Sequence, residues 1–226
     1  MSGKKPQSPV STPIALLAIL IASAQSVFPA TANDRGTAKP IPAAIWQAMQ
    51  GTSWHPGLGC PARENLALLS VPYRDFTGHR QTGQLIVARA AANGVLNAFA
   101  AIYQSSFRIQ SMTLIHKFGG DDGKSMAANN TSGFNCRKTA GGTRLSEHSS
   151  GRAIDINPVQ NPYVTQRGTL PPAGEAFDRP QERTRRHSGL IVKGGPVTRA
   201  FARIGWKWGG SWQVFKDYQH FYKARR

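Results

Sequence analysis

Cysteine is scarce in this chain, with two in 226 residues, and acidic residues are few, with 11 Asp+Glu. Two cysteines build neither a disulfide-dense scaffold nor a zinc ribbon, so any metal site must draw on His and carboxylate ligands. Charged residues make up only 17% and apolar residues 40%, a balance that can build a core and excludes disorder as the default state. The longest apolar stretch, Pro13 to Ala24, falls short of the roughly 18 residues a membrane span needs. No internal repeat is visible, and the length suits one domain with appendages. What is plentiful is positive charge: 28 Lys+Arg give a net +17. That excess implies attraction to an anionic partner (nucleic acid, anionic lipid or cell-wall polymer) without choosing among them.

The amino terminus reads as a targeting segment. Lys4 and Lys5 precede the apolar PIALLAILIASA stretch, and small residues follow at Ala22-Ser23-Ala24 and at Ala30-Thr31-Ala32, either of which suits signal peptidase. The alternative is an uncleaved anchor. We expect a signal peptide over 1–32, a linker and short helix over 33–59 and the main domain over 60–226, exported to the periplasm or cell exterior. Removing Lys4 and Lys5 lowers the +17 by only two, so the basic character belongs to the mature domain. In an oxidising compartment Cys60 and Cys136 are expected to pair, and closing so long a loop would add up to ~4–5 kcal/mol. Two separate buried thiols are the alternative, since spacing does not reveal a bridging distance.

Along the chain, residues 33–40 read as linker, Ile41 to Met49 as a helix and GTSWHPGLGCP as a loop. Gly83 to Arg89 reads as a buried strand running into a helix over Ala90–Tyr103, with Val95, Leu96, Phe99 and Ile102 on one stripe. Met112 to His116 is apolar enough for a strand, and the glycine-rich Gly119–Gly142 reads as a long functional loop. Arg152 to Ile156 alternates as a strand, 165–189 reads as surface loop, Pro196 to Ile204 as a helix and DYQHFYK as a strand. Helices and strands interleave without a βαβ beat, which implies α+β: a small antiparallel sheet with flanking helices.

Two of the six histidines have telling neighbours. His148 lies seven residues before Asp155, and Gly151 between them permits a tight turn from loop to strand. His220 follows Asp217 by three. Two imidazoles and a carboxylate are the ligand set of a catalytic zinc that keeps a position open for water, and a further carboxylate would serve as general base. By spacing alone, a hydrogen-bonded His–Asp pair and a capping Asp217–His220 pair remain open.

The run Ser-x-His-x3-Gly-x-Ala-x-Asp-Ile at 146–156, with Asp-x2-His-Phe at 217–221, resembles the signature of the M15 zinc peptidases. VPYRDFTG at 71–78, TGQLIV at 82–87, GGDDGKSMAANNTSGFNCR at 119–137, INPVQNPYV at 156–164 and WKWGGSW at 206–212 are similar, in order, to the D-alanyl-D-alanine carboxypeptidase-like branch. The resemblance covers about residues 60–222.

That resemblance implies a hedgehog/D-Ala-D-Ala-peptidase-like zinc site. Zn2+ would be held by His148, Asp155 and His220. Asp217 matches the carboxylate that accepts a proton from the attacking water and passes it to the leaving amine. Arg137 matches the arginine facing the scissile carbonyl, a role that suits a permanently charged, fork-shaped donor. Ser146 sits where a small hydroxyl supports the first ligand, or is a turn residue. Asp121, Asp122, Asn129 and Asn130 could line the peptide groove or make turns. Two departures stand out: Tyr222 occupies a position that is acidic in many relatives, and the KTAGG after Arg137 lacks a glutamine found in some phage endolysins.

His55, His79, His116 and His187 lack partner patterns. Trp206, Trp208 and Trp212 read as a packed wall beneath the site rather than a sugar platform, and the basic cluster Arg183, Arg185, Arg186 as a solvated face. The implied partner is a peptidoglycan stem peptide, cleaved beside a D-amino acid by carboxypeptidase or endopeptidase action. The expected state is a monomer with no membrane span after signal cleavage. Two competitors are a catalytically silent wall-peptide-binding module and a nucleic-acid binder; export and the lack of helix-turn-helix or zinc-finger spacing weigh against the latter.

Overall fold

The structure is a computed structural model that describes residues 1, 32–139, 142–183 and 187–224. The expected signal segment lies outside the described residues except at its two ends, and so do Arg185 and Arg186 of the basic cluster. The fold is mixed α/β, with small antiparallel sheets and few helices.

Apolar residues concentrate between positions 66 and 104, and there the long elements form. After α1 (Ala32–Arg35), β1 (Thr37–Lys39) and α2 (Ala43–Met49) come β2 (Leu66–Arg74), β3 (Arg80–Ala88) and α3 (Ala92–Gln104). β2 and β3 form an antiparallel hairpin from Leu66↔Ala88 to Arg74↔Arg80, and β1 pairs on the other side of β2. Residues 33–40, expected as linker, thus contribute a short helix and an edge strand. The sequence gives no clear sign of β2 because Pro72 interrupts it and cannot donate to a ladder. It is tolerated because β1 reaches only Leu68 to Ser70. The stripe Val95, Leu96, Phe99 and Ile102 of α3 is buried against Leu69, Val71, Leu85 and Val87 of this sheet.

The second half is built from short pieces: β4 (Ser111–Met112), α4 (Asp122–Ala127), β5 (Asn130–Thr131), β6 (Ala153–Asp155), β7 (Tyr163–Thr165), β8 (Gly168–Leu170), α5 (Pro196–Arg203), β9 (Lys207–Trp208), β10 (Lys216–Asp217) and β11 (His220–Tyr222). Among the described residues, in place of one sheet there are three three-stranded antiparallel sheets, ordered β1-β2-β3, β10-β7-β8 and β6-β11-β9, with β4 and β5 as a parallel pair.

Three expectations change here. The Met112–His116 strand stops at Met112, because the Asn130 side chain bonds both Thr113 N (2.8 Å) and Thr113 O (2.9 Å) in place of a strand partner. The chain then turns through a 3-10 segment at Ile115–Phe118. The Gly119–Gly142 stretch is no plain loop: Asp121 Oδ1 accepts from Lys124 N at 3.0 Å and starts α4. The DYQHFYK strand splits, β10 joining β7 and β11 joining β6 and β9.

Arg183 also departs from the solvated face. Its Nη1 donates to Gln160 O and Phe177 O, its Nη2 donates to Asn161 Oδ1 and Ile191 O, and its guanidinium lies 3.6 Å over the Tyr218 ring. Burial lowers its pKa to about 10, so it is still charged at neutral pH. Cys60 and Cys136 form a disulfide across 76 residues, a loop length that corresponds to about 4 kcal/mol in the chain-entropy picture. It ties the 54–60 loop to a second apolar cluster containing Ile41, Met49, Leu114 and Phe134. No helix among the described residues is long and apolar enough to cross a membrane.

Candidate metal and catalytic site

The alternation of β6 and β11 builds the site. Ile154 and Phe221 are fully buried in the main core, so their neighbours Asp155 and His220 turn to the opposite face. The antiparallel register sets Asp155 directly across from His220. His148 arrives from a 3-10 turn, Glu147–Ser150, that Gly151 closes in the left-handed conformation at φ 67. A Cβ on Gly151 would lie 2.4 Å from Ala88 N, so only glycine lets this turn pack against β3.

Three side chains converge. Asp155 Oδ1 is 2.9 Å from His220 Nδ1, Asp155 Oδ2 is 3.1 Å from His148 Nε2, and the two imidazole nitrogens are 3.3 Å apart. All three offer ligand atoms within 4.8 Å of one another, the single such group among the described residues. A tetrahedral zinc with ligands near 2.0–2.1 Å implies donor separations of ~3.3 Å. His148 Nδ1 donates to Gly133 O at 2.7 Å, which leaves the Nε2 lone pair facing the cluster. The donor chemistry, the spacing and the fixed tautomer all fit a zinc ion.

The electrostatics without a metal are those of a tight charge cluster. Burial opposes ionisation of Asp155, but the charge and hydrogen bond of His148, joined by His220, outweigh it and hold the carboxyl far below its usual range. Burial likewise opposes protonation of His148, and Asp155 overcomes it, so the His148 pKa is raised. Asp217, at the end of β10, moves the other way: burial pushes its pKa up to about 7, with the charge of Asp155 adding to the rise and His220 opposing it. Its Oδ1 is buried without a hydrogen-bond partner. A buried carboxylate oxygen left unpaired is costly, and a proton or a neighbouring cation relieves that cost.

Arg137 is set beside the histidine turn through its backbone. Its N–H donates to Ser149 Oγ at 3.0 Å, and its carbonyl accepts from Ser149 Oγ at 2.8 Å and from Ser146 N at 3.0 Å. The guanidinium contacts Asp122 Oδ2 through Nη2 and donates from Nη1 to Lys138 O. Burial lowers its pKa, and Asp155 and Asp217 counter that from across the site. Ser146 caps the turn, its Oγ accepting from His148 N at 3.3 Å.

Other expected groove residues have structural partners. Asn130 is fully buried between Thr113 and Ser125, and Asn129 bonds Gln160 and Val159 N. Asp121 caps α4. Only Asp122 reaches the site, through Arg137. Two partners went unsingled in the sequence: Ser149 and the Gly133 carbonyl. Ser149 could have been found, since it follows His148 directly; a backbone carbonyl carries no such sign.

The tryptophans divide by position. Trp206 and Trp208 pack on Phe201 and Phe221 in the core, whereas the Trp212 ring lies 5.7 Å from that of His220. Tyr222, standing where many relatives are acidic, stacks on His220 at 5.5 Å, and its hydroxyl accepts from Trp212 Nε1 at 3.2 Å. Gly209 is the close neighbour of this wall, for a Cβ there would lie 2.7 Å from Asp217 O and 3.3 Å from His220 Cβ.

Residues 140–223 match a peptidase family model described as D-alanyl-D-alanine carboxypeptidase. The matched stretch contains His148, Asp155, Asp217 and His220. Among curated proteins and among solved structures nothing matches.

Proposed function

We propose, from this chain's membership of the M15 peptidases, that it is a zinc-dependent peptidase acting on peptidoglycan stem peptides. The bond cut is an amide next to a D-amino acid, with D-Ala-D-Ala carboxypeptidase action first and murein endopeptidase action second. One observation carries the reading: two imidazoles and a carboxylate at 2.9–3.3 Å, with Asp217, whose Oδ1 has no hydrogen-bond partner, close enough to feel their charge.

His148, Asp155 and His220 would hold the zinc in a hedgehog/D-Ala-D-Ala-peptidase-like site. When bound, zinc supplies a Lewis acid in a largely buried setting. Gly133 O keeps His148 in the tautomer a ligand needs. Asp217 has the affinity for a proton that a general base needs near neutrality: it takes one from the attacking water and returns it to the leaving amine. Arg137, held by Asp122 and by its backbone bonds to Ser149, donates to the carbonyl oxygen as negative charge builds there. The amino-terminal segment would export the chain, to periplasm or cell exterior, where the wall is met.

Purified stem peptides are incubated with the protein, with and without a chelator, and products are identified by mass. Expected are metal-dependent release of D-amino acid or peptide fragments and loss of at least ~10³-fold in rate for His148→Ala. Hydrolysis that survives both zinc removal and His148→Ala would sink the proposal. Full zinc stoichiometry with no cleavage of any stem peptide would leave a wall-peptide-binding module.

A further inference from the structure

The far end of the β2–β3 hairpin concentrates positive charge that the metal site does not use. The last register pair sets Arg74 directly across from Arg80, and a parallel bridge on the other side of β2 sets Arg108 beside Arg74. Directly paired residues project to the same side of a ladder whose strands are ~4.8 Å apart, so three arginines start from one row. Tyr103, in the last turn of α3, anchors two of them: the Arg74 guanidinium lies 4.7 Å from its ring centre and that of Arg80 5.6 Å. Arg108 packs on the hairpin turn, where a Cβ on Gly78 would lie 2.8 Å from Arg108 Nη1.

Like charges set side by side across strands cost stability, and the chain neutralises them only in part. Arg80 pairs with Asp34 at 3.1 Å. Arg74 and Arg108 make no side-chain hydrogen bond or ion pair among the described residues, and Arg74 Nε and Arg108 Nη1 are buried without a partner. Asp75, next in sequence to Arg74, is taken up by its own turn, accepting from Thr77 N, Thr77 Oγ1, His79 N and Gln81 Nε2. All 11 Asp and Glu lie among the described residues, so no further side-chain carboxylate of the chain serves Arg74 or Arg108. Half-buried charge without a counter-ion is costly, and a bound anion supplies what is missing. The other guanidinium nitrogens of Arg74 and Arg108 reach solvent, so an anion meets them without rearrangement of the fold. Each guanidinium offers a fork of N–H donors that matches phosphate. Forks from three strands suit a tetrahedral group with several oxygens better than a two-oxygen carboxylate.

We infer that Arg74, Arg80 and Arg108 form a binding site for a phosphoryl group, built from residues outside the metal cluster. The inference stands without the peptidase reading. The phosphoryl group belongs to a soluble phosphate ester or to a lipid headgroup, and in either case the site holds the protein to the molecule that presents it.

Inorganic phosphate is titrated by calorimetry into the full chain at fixed ionic strength, so that screening does not mimic binding. Three double variants are compared: Arg74→Gln/Arg108→Gln, Arg74→Lys/Arg108→Lys, and Arg167→Gln/Arg203→Gln, which removes the same charge from two exposed positions. Saturable binding is expected, at least ~10-fold weaker in the Gln pair at 74 and 108, weakened less in the Lys pair and unchanged in the 167/203 control. Phosphate should also raise the thermal unfolding temperature of the native chain and of the control but not of the Gln pair at 74 and 108. Should that pair fail to fold, the Lys pair carries the comparison. A second arm measures retention on vesicles of phosphatidylglycerol mixed with phosphatidylcholine against phosphatidylcholine alone. Retention that the Gln pair at 74 and 108 abolishes and the control keeps assigns the site to a lipid headgroup; phosphate binding without retention assigns it to a soluble ester. The inference is overturned by no saturable binding in either arm, by equal weakening in the 167/203 control, or by acetate that displaces phosphate at equal concentration.

Discussion

The hairpin region, β1 to α3, and the site region, β6 to β11, are held together by different forces. The hairpin pairs nine residues against nine and buries aliphatic side chains of both strands under α3. The site region has strands of two or three residues, too short to be stable as ladders. Buried polar side chains stitch them instead. Asn161 Nδ2 donates to Ile156 O, Asn157 O and Gly189 O, while its Oδ1 accepts from Ile191 N and Arg183 Nη2. Asn157 bonds Gln110 N, Arg108 O and Gly189 O. Apolar packing tolerates small shifts; a hydrogen-bonded stitch fixes position, which side chains converging at 2.9–3.3 Å require.

Breaking each kind of support should have a different signature. Phe99→Ala opens a cavity in the hairpin core and is expected to cost about 3–5 kcal/mol in urea unfolding, with hydrolysis per folded molecule unchanged. Asn161→Ala should cost about 2–4 kcal/mol, since it strands the Ile191 N–H and removes one of the four acceptors of the Arg183 guanidinium. Unlike Phe99→Ala it should also lower activity per folded molecule, because Asn161 leads into β7, whose Tyr163 pairs with Asp217 of β10. Equal activities of the two variants at matched folded fraction would erase the distinction between the regions.

A third, smaller effect depends on pH. The Asp217 pKa is raised to about 7 in the fold and is about 4 in the unfolded chain, so the native state binds this proton more tightly. Its contribution is therefore intact below pH ~4 and is lost as pH rises through about 7. Asp155, with a lowered pKa, contributes above its unfolded value and is lost only in stronger acid, and His148, with a raised one, weakens only above its unfolded value near ~6.5. Between pH 4 and 6 Asp217 therefore sets the slope. The metal-free protein should lose on the order of 2 kcal/mol from pH 4 to 7, less than the full shift because the residue keeps some solvent contact. Asp217→Asn should flatten the curve, and a slope that persists in that variant would reassign it to another group. The smallest effect is expected for Gly209→Ala, whose methyl group presses on Asp217 O and His220 Cβ. We expect about ten-fold lower kcat/KM and a stability loss of about 1 kcal/mol, because the backbone at Asp217 must shift to admit the methyl group, measured on peptide hydrolysis against thermal unfolding.

The elements that periodicity made legible are those whose side chains face one apolar core. The stripe of α3, the alternation from Arg152 to Ile156 and the proline-started helix from Pro196 needed no tertiary information. β2 was obscured by Pro72, and the Met112–His116 segment was misread because a single buried amide, Asn130, replaced a strand. In the site, the ligand-type residues and Asp217 stood out by spacing and resemblance, and Ser146 by its place before His148. The partners of Arg137 did not: Asp122 is fifteen residues away, and nothing local says whether it caps a helix, lines a groove or holds a guanidinium. Arg183 was misjudged for the same reason, since a basic cluster reads the same whether it is solvated or stacked on Tyr218.

By itself the sequence determined which side chains could do the chemistry and where the apolar faces lie, because residue type and period are local properties. The tertiary structure decided what those side chains touch. It set Asp155 across from His220, aimed His148 through Gly133 O and buried Asp217 until its proton is held to about pH 7. Distances and burial between remote segments depend on how the whole chain packs, and no local pattern encodes them.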